Sequence, residues 1–186
     1  MTKRALDQVL VVDVEATCWD DHRPPHGQRT EIIEIGICCL DVKHGRISRT
    51  SLICRPQCST ISDFCTSLTG YVQSDVADAS SFSAQCAVLQ SKFKSRSRTW
   101  ASWGIYDHDM MQRQTQRDGV EHPMSSNHIN IKNLFSLWRG MKEEVGLTDA
   151  LRIMRWDFAG KQHVGRDDAW NAARVLSAIL WGSESR

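Results

Sequence analysis

The 186-residue sequence has almost no net charge: 23 Lys and Arg against 22 Asp and Glu leave +1. That excludes a strongly basic coat for nucleic acid. A local basic groove remains compatible, because binding follows the local field. Long hydrophobic runs are also missing. No stretch approaches the ~20 apolar residues of a membrane span, so no membrane contact is expected. The N-terminal MTKRALDQVLVVDVE starts basic, but Asp7 and Asp13 cut its apolar run short, which makes a poor signal peptide. None of the seven cysteines forms a C-x-x-C pair, and Cys54-x-x-x-Cys58 has no second Cys/His pair at zinc-finger spacing. Free thiols in odd number fit a reducing, cytoplasmic setting. There is no internal repeat, linker or low-complexity segment. A hydrophobic content of 41% and a charged content of 24% suit a single domain, residues 1–186, with a real core.

What is present centres on VLVVDVEATCW, Val9 to Trp19. The β-branched run Val9–Val12 reads as a buried strand. In a strand, residues two apart share a face, so Asp13 and Glu15 project together, roughly 6.5–7 Å apart at Cα. Two carboxylates there repel each other and lose hydration, and both stay ionised only if a cation lies between them. A divalent metal fits, since hard cations take carboxylate oxygens. The competing reading is that Asp13 caps a turn and Glu15 lies in a solvated loop.

The polar segment Asp20–Thr30 holds His22 and His26, two candidate ligands that are equally consistent with a solvated loop. Glu31–Leu40 and Ile47–Cys54 predict a second and third strand of an antiparallel meander. Ser62–Leu68 and Val72–Gln90 read as helical pieces, with Phe82, Cys86, Leu89 and Phe93 at core spacing. Lys92, Lys94, Arg96 and Arg98 read as a solvated basic helix end, the alternative being a phosphate patch. Thr99–Tyr106 predicts a strand running into Asp107, which opens a helix carrying Met110, Met111 and Gln114. Asp109 is a competing carboxylate. His122–Asn127 reads as loop. Ile131, Leu134, Phe135, Trp138 and Met141 form a helical stripe, and Thr148 opens a short helix as its N-cap.

Gly160–Leu180 is the second informative stretch. A glycine-flanked loop carries His163, and a helix starts near Arg166 or Asp167. On it Asp168, Ala172, Val175, Leu176 and Ile179 share one face. Asp168 is therefore a carboxylate on an apolar stripe, expensive unless paired or metal-bound. Its alternative role is to complement the helix dipole. Asp167 reads as a solvated capping residue, and its loss is expected to leave most of the activity intact.

Asp13, Glu15, Asp107 and Asp168 lie on three separate elements. If they converge, they can hold two divalent ions ~3.5–4 Å apart, the arrangement for in-line displacement at phosphorus. His163 can then deprotonate the attacking water.

With DVEATCW from Asp13, EIIEIG from Glu31, SLTG from Ser67, WGIYD ending at Asp107 and HVGRDDAWN from His163, the sequence resembles the DEDDh 3′–5′ exonuclease family. It is closest to the histone-mRNA and small-RNA exonuclease branch and to bacterial KapD-like proteins. The resemblance covers about residues 8–180, nearly the whole chain, and leaves no room for an accessory nucleic-acid domain. It implies an α/β, RNase H-like fold: a mixed five-stranded sheet, its first three strands antiparallel, flanked by helices. It implies that Asp13, Glu15 and Asp168 bind one metal, that Asp13 and Asp107 serve a second, and that His163 is the general base. Mg²⁺ or Mn²⁺, two ions per site, suits such an all-oxygen set. The implied substrate is a single-stranded RNA or DNA 3′ end, shortened to 5′-mononucleotides, with RNA favoured. Backbone groups of Ala16 and Thr17 would meet the terminal 3′ hydroxyl, and Trp19 or Leu68 would pack on the last base. For Trp19 a core position is the alternative. A DNA-directed enzyme and a non-catalytic 3′-end-binding module are the competing functions. The small size and weak charge leave room for a protein partner that supplies specificity.

Overall fold

The computed structural model describes residues 5–45 and 47–182; the basic start at residues 1–4 lies outside the described residues. In chain order the elements are β1 (Ala5–Ala16), β2 (Ile32–Asp41), β3 (Ile47–Arg55), α1 (Asp63–Thr69), α2 (Gln73–Ala77), β4 (Ser80–Ser81) and α3 (Phe82–Phe93). They continue with β5 (Arg98–Ser102), α4 (Tyr106–Asp118), β6 (His128–Asn130), α5 (Ile131–Arg139), α6 (Leu147–Ile153) and α7 (Gly165–Trp181). The strands order as β4-β3-β2-β1-β5-β6. The β1–β2–β3 meander is antiparallel, as expected, while β5 joins β1 and β6 joins β5 in parallel.

Among the described residues the sheet has six strands, one more than the expected five. The addition is β4, two residues paired in parallel with the end of β3. A two-residue strand shows no period, so the pattern from Val72 to Gln90 reads as one helix, whereas the chain breaks it at β4. Ser81 caps the second part, accepting from the Ala84 N–H. The three-residue β6 escapes the pattern for the same reason. At α6 the N-cap is Gly146, two residues ahead of Thr148.

The sheet is covered on both faces, and β1 divides its side chains between them. Leu10, Val12 and Val14 pack with Phe82, Leu89 and Met111 from α3 and α4. Val9 and Val11 pack with Phe135, Ala172 and Leu176 from α5 and α7. Asp13 and Glu15 belong by parity to this second face, the one that α7 covers. The approach of α7 is very close at Gly36 of β2. A Cβ there would overlap the backbone of Gly165 and Arg166, so only glycine lets the helix start seat on the strand.

The basic run is divided by the structure. Arg98 is buried, with Nε and Nη2 donating to Asp7 and Nη1 to the Phe93 carbonyl. Arg96 pairs with Glu121. Lys92, Lys94 and Arg96 are exposed, as a solvated basic segment requires, and Arg98 alone of the four departs from it.

Candidate metal and catalytic site

β1 delivers Asp13 and Glu15 at its C-terminal end, and a register shift in the β1–β2 ladder falls between Glu15 and Ala16. Bulges of this kind re-aim a strand next to active sites. The freed backbone groups are served from elsewhere. Gln114 Oε1 accepts the Ile32 N–H at 2.8 Å, the Thr17 N–H donates to the Glu31 carbonyl, and Thr17 Oγ1 accepts the Glu31 N–H. The Thr17 amide is thus spent inside the protein, and the Ala16 carbonyl accepts from Cys65 Sγ.

From α7, Asp168 meets the pair. One carboxylate oxygen each from Asp13, Glu15 and Asp168 lie within 4.8 Å of one another. Asp107 adjoins this group but is not one of the three. It is buried, and its Oδ1 accepts the Val14 N–H at 2.9 Å, which ties the start of α4 to β1. Burial first, then the neighbouring charges of Asp107, Glu15, Asp168 and Glu34, push the Asp13 carboxyl far above the ordinary carboxylate range. Burial and the Asp168 charge raise Glu15 to about 8. Burial raises Asp168 to about 7, against the opposing pull of the His163 and Val164 amides. Burial raises Asp107 to about 6, with the Val14 N–H pulling the other way.

These groups fit a divalent cation. Asp168 Oδ2 is buried with no hydrogen-bond partner among the described residues, a costly state for a carboxylate oxygen unless a cation completes it. The donors are all oxygen, which hard divalent ions prefer.

His163 lies on the loop before α7, exposed, with φ of 60°. Its backbone N–H faces Asp168, which puts the histidine at the rim of the acidic group. Trp19 is buried yet belongs to none of the three apolar clusters. It lines an open groove of about 610 Å³ with Arg23, Pro25 and Phe64. Leu68 is half-buried on α1. His22 and His26 are exposed and take no part.

Asp167 overturns its expectation: it is buried rather than solvated, at 6% exposure, whereas Asp168 is partly exposed toward the site. Three further residues escape a reading of the sequence. Glu34 is fully buried in β2 and accepts from Gly165 N–H at 2.7 Å, Arg166 N–H at 3.2 Å and Ser51 Oγ at 2.6 Å. It caps α7 and so places Asp168; its signal is a glutamate inside the apolar run IIEIG. Gly36 in the same run allows the close approach. Tyr106 is 53% exposed beside Asp107, and the charges of Asp107 and Glu15 reach its hydroxyl. An exposed aromatic next to buried acid is its signal.

A family model described as Exonuclease, of the RNase T type, matches residues 10–176. The 3′–5′ exonuclease Snipper of Drosophila melanogaster is 26% identical, over 92% of this chain and 69% of its own length. The 3′–5′ exoribonuclease 1 of Homo sapiens is 30% identical over 94% of this chain and 52% of its own length, so the chain spans about half of that relative. Among solved structures, the nuclease domain of 3′hExo, described as a DEDDh family member bound to rAMP, superposes with a TM-score of 0.85. The two are 26% identical, and the match covers 98% of this chain and 96% of that one. The likeness takes in the mixed sheet and its flanking helices, the RNase H-like nuclease architecture.

Proposed function

Because the chain belongs to the exonuclease family of the RNase T type, we propose that it is a DEDDh 3′–5′ exonuclease that releases 5′-mononucleotides from single-stranded 3′ ends, RNA favoured. The carrying observation is the meeting of Asp13, Glu15 and Asp168 within 4.8 Å, with one buried carboxylate oxygen left unpartnered. Mg²⁺ or Mn²⁺ bound there would neutralise charge on the scissile phosphate and make water a better nucleophile. Asp13, Glu15 and Asp168 would hold the ion. Asp13 and Asp107 would serve a second ion, with one Asp107 oxygen committed to the Val14 N–H.

His163, on the exposed loop at the rim, takes the proton from the attacking water as general base. Backbone groups of Ala16 and Thr17 meet the terminal hydroxyl; with the Thr17 N–H already engaged, its share falls to the carbonyl. Trp19, Leu68 and the exposed ring of Tyr106 offer packing to the terminal base, which needs no sequence readout. RNA is favoured because one relative is named an exoribonuclease and the 3′hExo structure contains rAMP. Residues 1–186 act as one exonuclease domain. The seven unpaired thiols suit a reducing cytoplasm. A protein partner supplying specificity is consistent with the weak net charge.

The test is a time course on 3′- and 5′-labelled single-stranded RNA and DNA with Mg²⁺, Mn²⁺ or EDTA. Shortening from the 3′ end, only with metal and faster on RNA, is the expected result. A faster rate on DNA selects the DNA-directed enzyme. Metal-dependent stabilisation without cleavage of either polymer points instead to a narrow structured substrate, a required partner or a 3′-end-binding module.

A further inference from the structure

Asp167 precedes Asp168 by one residue and does different work. Its side chain is 8% exposed. Oδ1 accepts from Arg49 Nη1 at 2.8 Å, and Oδ2 accepts the backbone N–H of Lys161 at 3.0 Å. The Arg49 guanidinium also lies over the Trp170 ring, 5.2 Å from its centre. Charge-assisted bonds of this kind are short and directional.

Lys161 is two residues from His163, on the loop between α6 and α7. One turn further along α7, Asn171 grips the base of that loop. Its Oδ1 accepts the Ala159 N–H at 3.0 Å, and its Nδ2 donates to the Ala159 carbonyl at 3.1 Å. Arg174 Nη1 donates to the same Oδ1 at 2.8 Å. Between the two grips, Gly160 has φ of 97°, and a Cβ there would overlap the Asp167 carboxylate. His163 itself has φ of 60°, a conformation a non-glycine residue keeps only where its surroundings impose it.

We propose that Asp167 is a positioning residue: by holding Lys161 against the start of α7 it sets the loop that presents His163. The proposal rests on the reading of His163 as general base. Asp167 is not one of the three carboxylates that meet. It acts through geometry, where a misplacement of ~1 Å costs about 10²-fold in rate.

The experiment combines Asp167→Ala, Asp167→Asn, His163→Ala and the double variant His163→Ala/Asp167→Ala. Readouts are kcat and KM on 3′-labelled single-stranded RNA, thermal stabilisation by Mn²⁺ alone, and amide exchange at residues 159–164. Asp167→Ala should lower kcat roughly 10–100-fold, leave KM and the Mn²⁺ response within about twofold, and speed exchange at Lys161. The double variant should be no slower than His163→Ala. Asp167→Asn, which keeps an oxygen for the Lys161 N–H, should recover most of the rate. Gly160→Ala breaks the same seat from the loop side and should copy Asp167→Ala, which covers the case of an Asp167 variant that does not fold. An unchanged kcat, a lost Mn²⁺ response, or losses that multiply in the double variant would each overturn the proposal. Wild-type turnover in His163→Ala would instead remove the general base itself. If the protein cleaves nothing, unchanged exchange at Lys161 in Asp167→Ala still sinks the positioning role.

Discussion

The two faces of β1 begin alike and end differently. On the face toward α3 and α4, Leu10, Val12 and Val14 are apolar throughout and buried. On the face toward α7, Val9 and Val11 are followed by Asp13 and Glu15. Backbone, sheet and neighbouring strands are the same for both. The apolar face stabilises the fold by excluding water. The acidic end of the other face opposes folding, because crowded carboxylates are desolvated beside their own kind. A cation that relieves this crowding binds the folded chain and not the unfolded one, so the strain becomes binding specificity.

The contrast can be broken at several points. Asp13→Ala should abolish detectable turnover and remove the thermal shift that divalent metal produces, while the metal-free protein becomes no less stable. Retained metal-dependent stabilisation in that variant would mean the ion sits elsewhere. His163→Ala should slow cleavage roughly 10²–10⁴-fold yet keep the metal response, separating proton transfer from ion binding. On the apolar face, Leu10→Ala should cost ~2–5 kcal/mol of stability, read by urea unfolding, with turnover per folded molecule unchanged. A specific loss of activity there would show that the two faces are not independent.

Stability should also depend on pH. Glu15 and Asp168 titrate near about 8 and 7 in the fold, against about 4 in an unfolded chain. The folded state therefore holds extra protons between these values. Its stability is full below pH ~4 and falls as pH rises through 7 to 8. Thermal melts in EDTA from pH 5 to 8.5 should show that decline. Glu15→Gln should flatten it, and Mg²⁺ should offset it.

Part of the site was legible because strand parity is local. Asp13 and Glu15 had to share a face, and the apolar run before them had to be central. The fold brings Asp168, and not Asp167, to Asp13 and Glu15, for a reason that helical spacing does not contain. Helical spacing extended the buried stripe to Asp168, whereas the first turn of α7 is covered from another side. The His163 loop folds back over Asp167 and buries it with Arg49 from β3. No helical period reports a partner 118 residues away. β4 and β6 are not legible in the sequence, because two or three residues carry no period.

The sequence by itself determined the meander, the acidic pair at the end of β1, the histidine loop ahead of the last helix and the exonuclease family. Those depend on local periodicity and on motifs of a few residues. Tertiary structure alone decided which carboxylates meet. Glu34 caps α7 across a glycine contact, Asp107 spends an oxygen on β1, and Asp167 turns inward to the loop. The reason is that burial and desolvation are properties of packed neighbours, and packing brings together residues the chain keeps far apart.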